Sequence, residues 1–170
     1  MERYIVRMDE LGKITIPKNI RDNLGFTSLE NVEILVKKNE IVVRTYSPIL
    51  KIKEIAKAIT DTLSYALNHN VIITDLNNII VSSDKSLLNK KVSENLKFSI
   101  FRRENILEIH NKNINISSNT IINTPYIINS IVSKGNVIGL LIIYDELKGV
   151  DDIDYKISSV VANFIGKYVE

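Results

Sequence analysis

Two amphipathic stripes constrain this chain more than any other feature. Apolar residues recur at Ile52, Ile55, Ala56, Ile59, Leu63, Ala66 and Leu67, and again at Ile153, Ile157, Val160, Val161, Phe164, Ile165 and Tyr168. Spacings of three and four place each set on one face of a helix. Between them the rhythm changes to strands. Val71–Asp75 and Ile79–Ser82 flank Asn77-Asn78, and Ile127–Ser133 and Val137–Tyr144 flank Lys134-Gly135-Asn136, so two hairpins are expected. Ser93–Arg103 reads as a helix and Ile106–Ile109 as a strand. The stretch from Lys112 to Pro125 is weakly patterned and is expected to be a lid or an unstructured loop. Helices bracketing antiparallel hairpins predict an α+β domain.

A chain of 170 residues has room for one or two such domains. Its hydrophobic fraction of 45% suits a folded protein. The absence of cysteine excludes a disulfide framework and any thiolate-held metal. The longest apolar run, Val137–Tyr144, is far below the ~18 residues of a membrane span. The start, Met1-Glu2-Arg3-Tyr4, lacks a signal-peptide layout, so a soluble cytoplasmic protein is expected. Frequent Ile, Asn and Lys, including the Asn-rich stretch 111–123, fit codon drift in an A+T-rich genome better than chemistry.

Charge is unevenly placed. Residues 1–53 hold ten Lys/Arg against seven Asp/Glu, hence +3, whereas the remainder holds 12 against 13, hence −1. A basic module on a nearly neutral body suggests an anionic partner for that module. Its local pattern is short strands around one short helix. Tyr4–Met8 and Lys13–Ile16 are strand-like about an Asp9–Gly12 turn, Pro17 opens a helix over Lys18–Leu24, and Gly25 stops it. Val32–Lys37 and Glu40–Tyr46 form a further hairpin. Four short strands and two helical turns have too little core to stand alone, so dimerisation through interleaved hairpins is expected.

The run Arg7-Met8-Asp9-Glu10-Leu11-Gly12-Lys13-Ile14-Thr15-Ile16-Pro17-Lys18-Asn19-Ile20-Arg21 resembles the signature of AbrB-type transition-state regulators. Tyr46-Ser47-Pro48-Ile49, followed by a helix and a second domain, is similar to the stage V sporulation protein T family, which joins an AbrB-like domain to a GAF domain. The resemblance implies a swapped-hairpin β-barrel for dimerisation and DNA binding over residues 1–46, a linker over 47–53, and a GAF-like sensor domain over 54–170. It implies a transcriptional regulator of sporulation that binds double-stranded DNA, associates with the nucleoid and assembles as a dimer or tetramer. The family's DNA contacts fall on Arg7, Lys13, Lys18 and Arg21. Three departures stand out: one residue fewer between Arg7 and Asp9, Lys13 where arginine is usual, and Asp22 in place of a second helix arginine. A lysine is a point charge where arginine offers a bidentate fork. An antitoxin-like interaction protein is the alternative, because antitoxins also use swapped hairpins. It would carry a disordered toxin-binding tail.

Chemistry is sparse elsewhere. Asp75, Asp84 and the Asp151, Asp152, Asp154 cluster have no neighbouring His or Cys in sequence, and the cluster suits the start of the last helix. His69 closes a helix and His110 ends a strand. Gly135 and Gly139 do not make a phosphate-binding loop. No enzyme, metal or cofactor is therefore expected. A small-molecule effector for the sensor domain stays open, with no residue pattern selecting it.

Overall fold

The computed structural model describes residues 3–24, 26 and 32–170. The chain divides into two compact units, Met1–Tyr46 and Ser47–Glu170. The expected helix stop at Gly25 lies outside the described residues.

In the first unit, Asp9 organises a turn. Its carboxylate accepts the backbone N–H groups of Leu11 and Lys13 at 3.0 and 2.8 Å, and its own N–H donates to the Lys13 carbonyl. Gly12 takes the positive φ of 77° that the turn requires. Helix α1 (Lys18–Leu24) follows, and strands β1 (Val32–Lys37) and β2 (Glu40–Thr45) pair antiparallel. Across that ladder Glu33 faces Arg44 and accepts its guanidinium at 2.7 Å.

Two expectations change here. The arms 4–8 and 13–16 carry no strand, and a single chain closes no barrel: the unit's one sheet among the described residues is the two-stranded β1–β2. A strand exists only through its ladder, and Asp9 N–H to Lys13 is the sole backbone bond joining the two arms among the described residues. None of the unit's described residues is buried, and Ile5 is 94% and Val36 76% exposed.

The second unit begins at once. Residues 47–53, expected as a linker, hold helix α2 (Pro48–Lys51), whose N-cap Ser47 accepts the Leu50 N–H at 3.1 Å and whose Ile49 is fully buried. Helix α3 (Lys53–Leu67) follows. A five-stranded antiparallel sheet has the order β4-β3-β7-β6-β5, formed by β3 (Asn70–Thr74), β4 (Ile79–Ser82), β5 (Ile106–Ser117), β6 (Thr120–Ser133) and β7 (Asn136–Tyr144). Helix α4 (Glu94–Arg102) lies between β4 and β5 in sequence, and α5 (Asp152–Tyr168) closes the chain.

Both sheet faces are covered. Ile127, Ile131, Leu141 and Ile143 face one core with Ala56 and Leu63 of α3 and Ala162 and Ile165 of α5. Ile72, Leu140 and Ile142 face a second core with Leu96 of α4. Two glycines permit close approach: a Cβ on Gly166 of α5 would overlap the Val132 carbonyl, and one on Gly139 of β7 the Thr74 carbonyl.

The expected loop at 112–125 is instead the far half of the β5–β6 hairpin. Ile114 and Ile116 are buried while Asn113 is exposed and Asn115 half-buried, the alternation of a strand with one face on a core. Asn123 and Asn113 face each other across the ladder, and their side chains hydrogen-bond at 2.7 Å.

Candidate functional site

The expected DNA-contacting residues all lie in the first unit. Arg7 and Lys13 stand on the two arms of the Asp9 turn, and Lys18 and Arg21 lie one helical turn apart on α1. Arg7, Lys13 and Lys18 are exposed and form no ion pair among the described residues. Their charge is therefore available to an external anion.

Arg21 differs. It is half-buried, and its Nη1 donates to the Ile16 carbonyl at 2.5 Å. One arm of the guanidinium thus holds the start of α1 against the preceding segment, and its other N–H groups remain. Asn19 adds a second tie, donating to the Tyr4 hydroxyl at 2.8 Å. Asp22 is exposed on the same helix and sets a negative charge beside these cations.

In the second unit the sequence understates His69. It follows Asn68, the left-handed C-cap of α3, and its side chain is 5% exposed. Nε2 lies 3.0 Å from Asp154 Oδ2, and Nδ1 lies 3.2 Å from Asp145 Oδ2. The second contact is one of proximity, since Nδ1 lacks a hydrogen bond of good direction. The imidazole thus joins the end of α3, the segment after β7 and the first turn of α5. No sequence spacing reveals this, because Asp145 and Asp154 approach only when β7 and α5 pack beside α3.

The acidic cluster behaves as expected of a helix start. Asp151 accepts the N–H groups of Ile153 and Asp154 at 2.7 and 2.9 Å, and Asp154 accepts the Asp151 N–H in return, a complete capping box. Asp75 accepts the N–H groups of Asn77 and Asn78 in the β3–β4 turn. His110 is exposed on β5.

Beside His69 a pocket of about 420 Å³ opens, lined by Asn68, Asn70, Asp84, Tyr144, Asp145 and Glu146 among others. Tyr144 is 3% exposed, and burial, with the charges of Asp84 and Glu146 adding, pushes its phenol up to about 12. Burial also acts to raise the Asp145 carboxyl, but the N–H groups of Leu147 and Lys148 and the neighbouring His69 outweigh it, and its pKa is lowered. Among the described residues no group of acidic or imidazole side chains is gathered closely enough to hold a metal ion. No helix among them is long and apolar enough to cross a membrane.

Comparison with known proteins places these features. A family profile described as stage V sporulation protein T C-terminal, transcription factor, matches residues 51–170. The chain is 31% identical over 169 residues to stage V sporulation protein T of Bacillus subtilis (strain 168), across 96% of this chain and 95% of that protein. Among solved structures, the cofactor-binding GAF domain of the nutrient sensor CodY from Clostridium difficile superposes with a TM-score of 0.52 at 13% identity, over 74% of this chain and 100% of that one. A type II free methionine-R-sulfoxide reductase from Thermoplasma acidophilum gives 0.55 at 14% identity, over 71% and 94%. At such identities the likeness is one of fold, and the fold is GAF-like.

Proposed function

The chain belongs to the stage V sporulation protein T family of transcription factors, and on that premise we propose that it binds double-stranded DNA through Arg7, Lys13, Lys18 and Arg21 to control sporulation genes. The observation that carries this reading is the set of exposed, unpaired cations on the Asp9 turn and at the start of α1, within the stretch 1–53 that holds the chain's excess positive charge. The binding unit, residues 1–46, is a swapped-hairpin dimer. Its arms 4–8 and 13–16 supply strands that a partner chain completes, and its exposed Ile5, Ile14, Ile34 and Val36 form the shared core.

The second unit acts as sensor and oligomerisation domain. Val160, Phe164 and Tyr168 of α5 are 68%, 52% and 51% exposed along one stripe, which gives a second subunit contact and hence a tetramer. An antitoxin would end in a disordered toxin-binding tail. Residues 47–170 instead form a sheet with two buried clusters, which favours the regulator.

The test is an anisotropy titration on duplex DNA at several salt concentrations. Log K falls with log salt at about −0.9 per neutralised phosphate, so Lys13→Ala, with two copies per dimer, is expected to weaken binding and flatten the slope by roughly two units. Arg21→Ala is expected to do the same and, by freeing the Ile16 carbonyl, to lose more affinity than Lys13→Ala. Lys134→Ala in the β6–β7 turn leaves binding unchanged. Parental affinity and slope in both Lys13→Ala and Arg21→Ala would place the DNA surface elsewhere.

A further inference from the structure

The pocket beside His69 holds a side chain that the fold does not use. Tyr144 is almost wholly buried, yet its hydroxyl makes no hydrogen bond among the described residues and borders the cavity. The ring is buried but the hydroxyl oxygen keeps contact with solvent, so it is reachable from the cavity that Tyr144 lines. Its neighbours are carboxylates. Asp84 and Glu146 line the same cavity, and neither pairs with a lysine or arginine among the described residues. His69 contacts Asp145 and Asp154 rather than these two. Asp84 spends part of its capacity on Ser86, accepting its N–H and hydroxyl at 2.8 and 2.9 Å. Glu146 is exposed at the rim and has no such commitment.

We propose that this pocket is the effector site of the sensor unit and takes a small organic cation bearing a primary ammonium group. An ammonium has three N–H donors and no acceptor, and Asp84, Glu146 and the Tyr144 oxygen offer it acceptors of the right kind. A bare metal ion fits less well, since the carboxylates are not gathered into a metal-holding cluster. A cavity of about 420 Å³ accommodates a molecule of several heavy atoms. Leu147, also on the lining, offers an apolar contact for a short hydrocarbon tail.

The inference rests on the sensor half of the reading above and is independent of its DNA-binding half. The test is isothermal titration of the full-length protein, without DNA, with 1,4-diaminobutane, and with 1,4-butanediol and magnesium chloride as controls. The diamine is expected to bind and the diol, which has the same length and no charge, is not. Glu146→Gln, at an exposed position, is expected to weaken the diamine about tenfold, the cost of one charge-assisted bond. Tyr144→Phe keeps the buried ring and is expected to weaken it several-fold, with the melting temperature of the free protein as the check on folding. Absence of diamine binding up to millimolar concentration overturns the proposal. So does equal binding of the diol, displacement of the diamine by equimolar magnesium, or parental affinity in both variants. The salt-dependent DNA titration stands or falls separately.

Discussion

Hairpin β1–β2 and hairpin β6–β7 are both antiparallel, both rich in Val and Ile, and both closed by a tight turn with a positive-φ lysine, Lys38 in one and Lys134 in the other. Their surroundings are opposite. Ile34, Val36 and Ile41 of the first are more than half exposed, whereas Ile127, Ile131, Leu141 and Ile143 of the second are inaccessible. Local propensity therefore makes a hairpin in either place, and burial depends on what else arrives. For β6–β7 the cover comes from the same chain, with α3 and α5 on one face and α4 on the other. Among the described residues nothing covers Ile34, Val36 and Ile41 of β1–β2, so these remain available to a second copy.

The most severe way to break that comparison is to separate the units. A fragment of residues 47–170 is expected to melt cooperatively at a temperature independent of its concentration. A fragment of residues 1–46 is expected to fold only as it associates, with a midpoint that rises with concentration. A concentration-independent transition in the short fragment, followed by circular dichroism, would remove the argument for a shared core.

Single truncations sharpen it next. Leu141→Ala removes a fully buried side chain from β7 and is expected to cost about 2–5 kcal/mol in urea unfolding of the full chain. Val36→Ala, on the exposed hairpin, is expected to stay within about 0.5 kcal/mol where the chain is monomeric, as for other surface positions. Its effect grows with protein concentration if the first unit is dimeric.

Acid addresses the end of the buried hairpin. The Asp145 carboxyl ionises at lower pH in the folded chain than its ordinary value of 3.8. Its contribution is therefore complete above the unfolded-state value and disappears as pH falls through the lower folded-state value. Urea midpoints are expected to drop below about pH 4, and Asp145→Asn is expected to flatten that part of the profile. An unchanged acid limb would show that the N–H groups of Leu147 and Lys148 do not favour the charged form.

A smaller effect than that of Leu141→Ala is expected at a helix end. Ser93 caps α4 by accepting the Leu96 N–H at 3.2 Å, so Ser93→Ala is expected to cost about 1 kcal/mol, measured by urea unfolding. Asn95→Ala, exposed one position inside the same helix, is the control and is expected to be near neutral.

Some of these features were open to inspection in the sequence. The stripes at 52–67 and 153–168 gave α3 and α5, and the acidic residues before the second stripe marked the start of α5. The β5–β6 hairpin was obscured because Asn113, Asn115 and Asn123 lower strand propensity, although Ile114 and Ile116 alternate correctly. Ladder pairing and burial of the isoleucines outweigh that propensity. The site divides in the same way. The cations near Asp9 lie within fifteen residues of sequence, from Arg7 to Arg21, so the motif alone displays them. Tyr144, Asp84 and His69 are brought to one cavity only by the pairing of β3 with both β7 and β4.

The amino-acid sequence by itself determined helices α1, α3, α4 and α5 and the hairpins β1–β2, β3–β4 and β6–β7, because capping, φ restriction and apolar period act over a few residues. It also placed the excess positive charge within residues 1–53 and left the chain without thiol chemistry. Only the tertiary structure decided that both faces of β6 and β7 are buried, that His69 sits between two carboxylates, and that the Tyr144 hydroxyl is left without a partner at a cavity. Those outcomes depend on residues distant along the chain meeting in space. Burial and electrostatic environment belong to the packed arrangement, and no local window of sequence contains it.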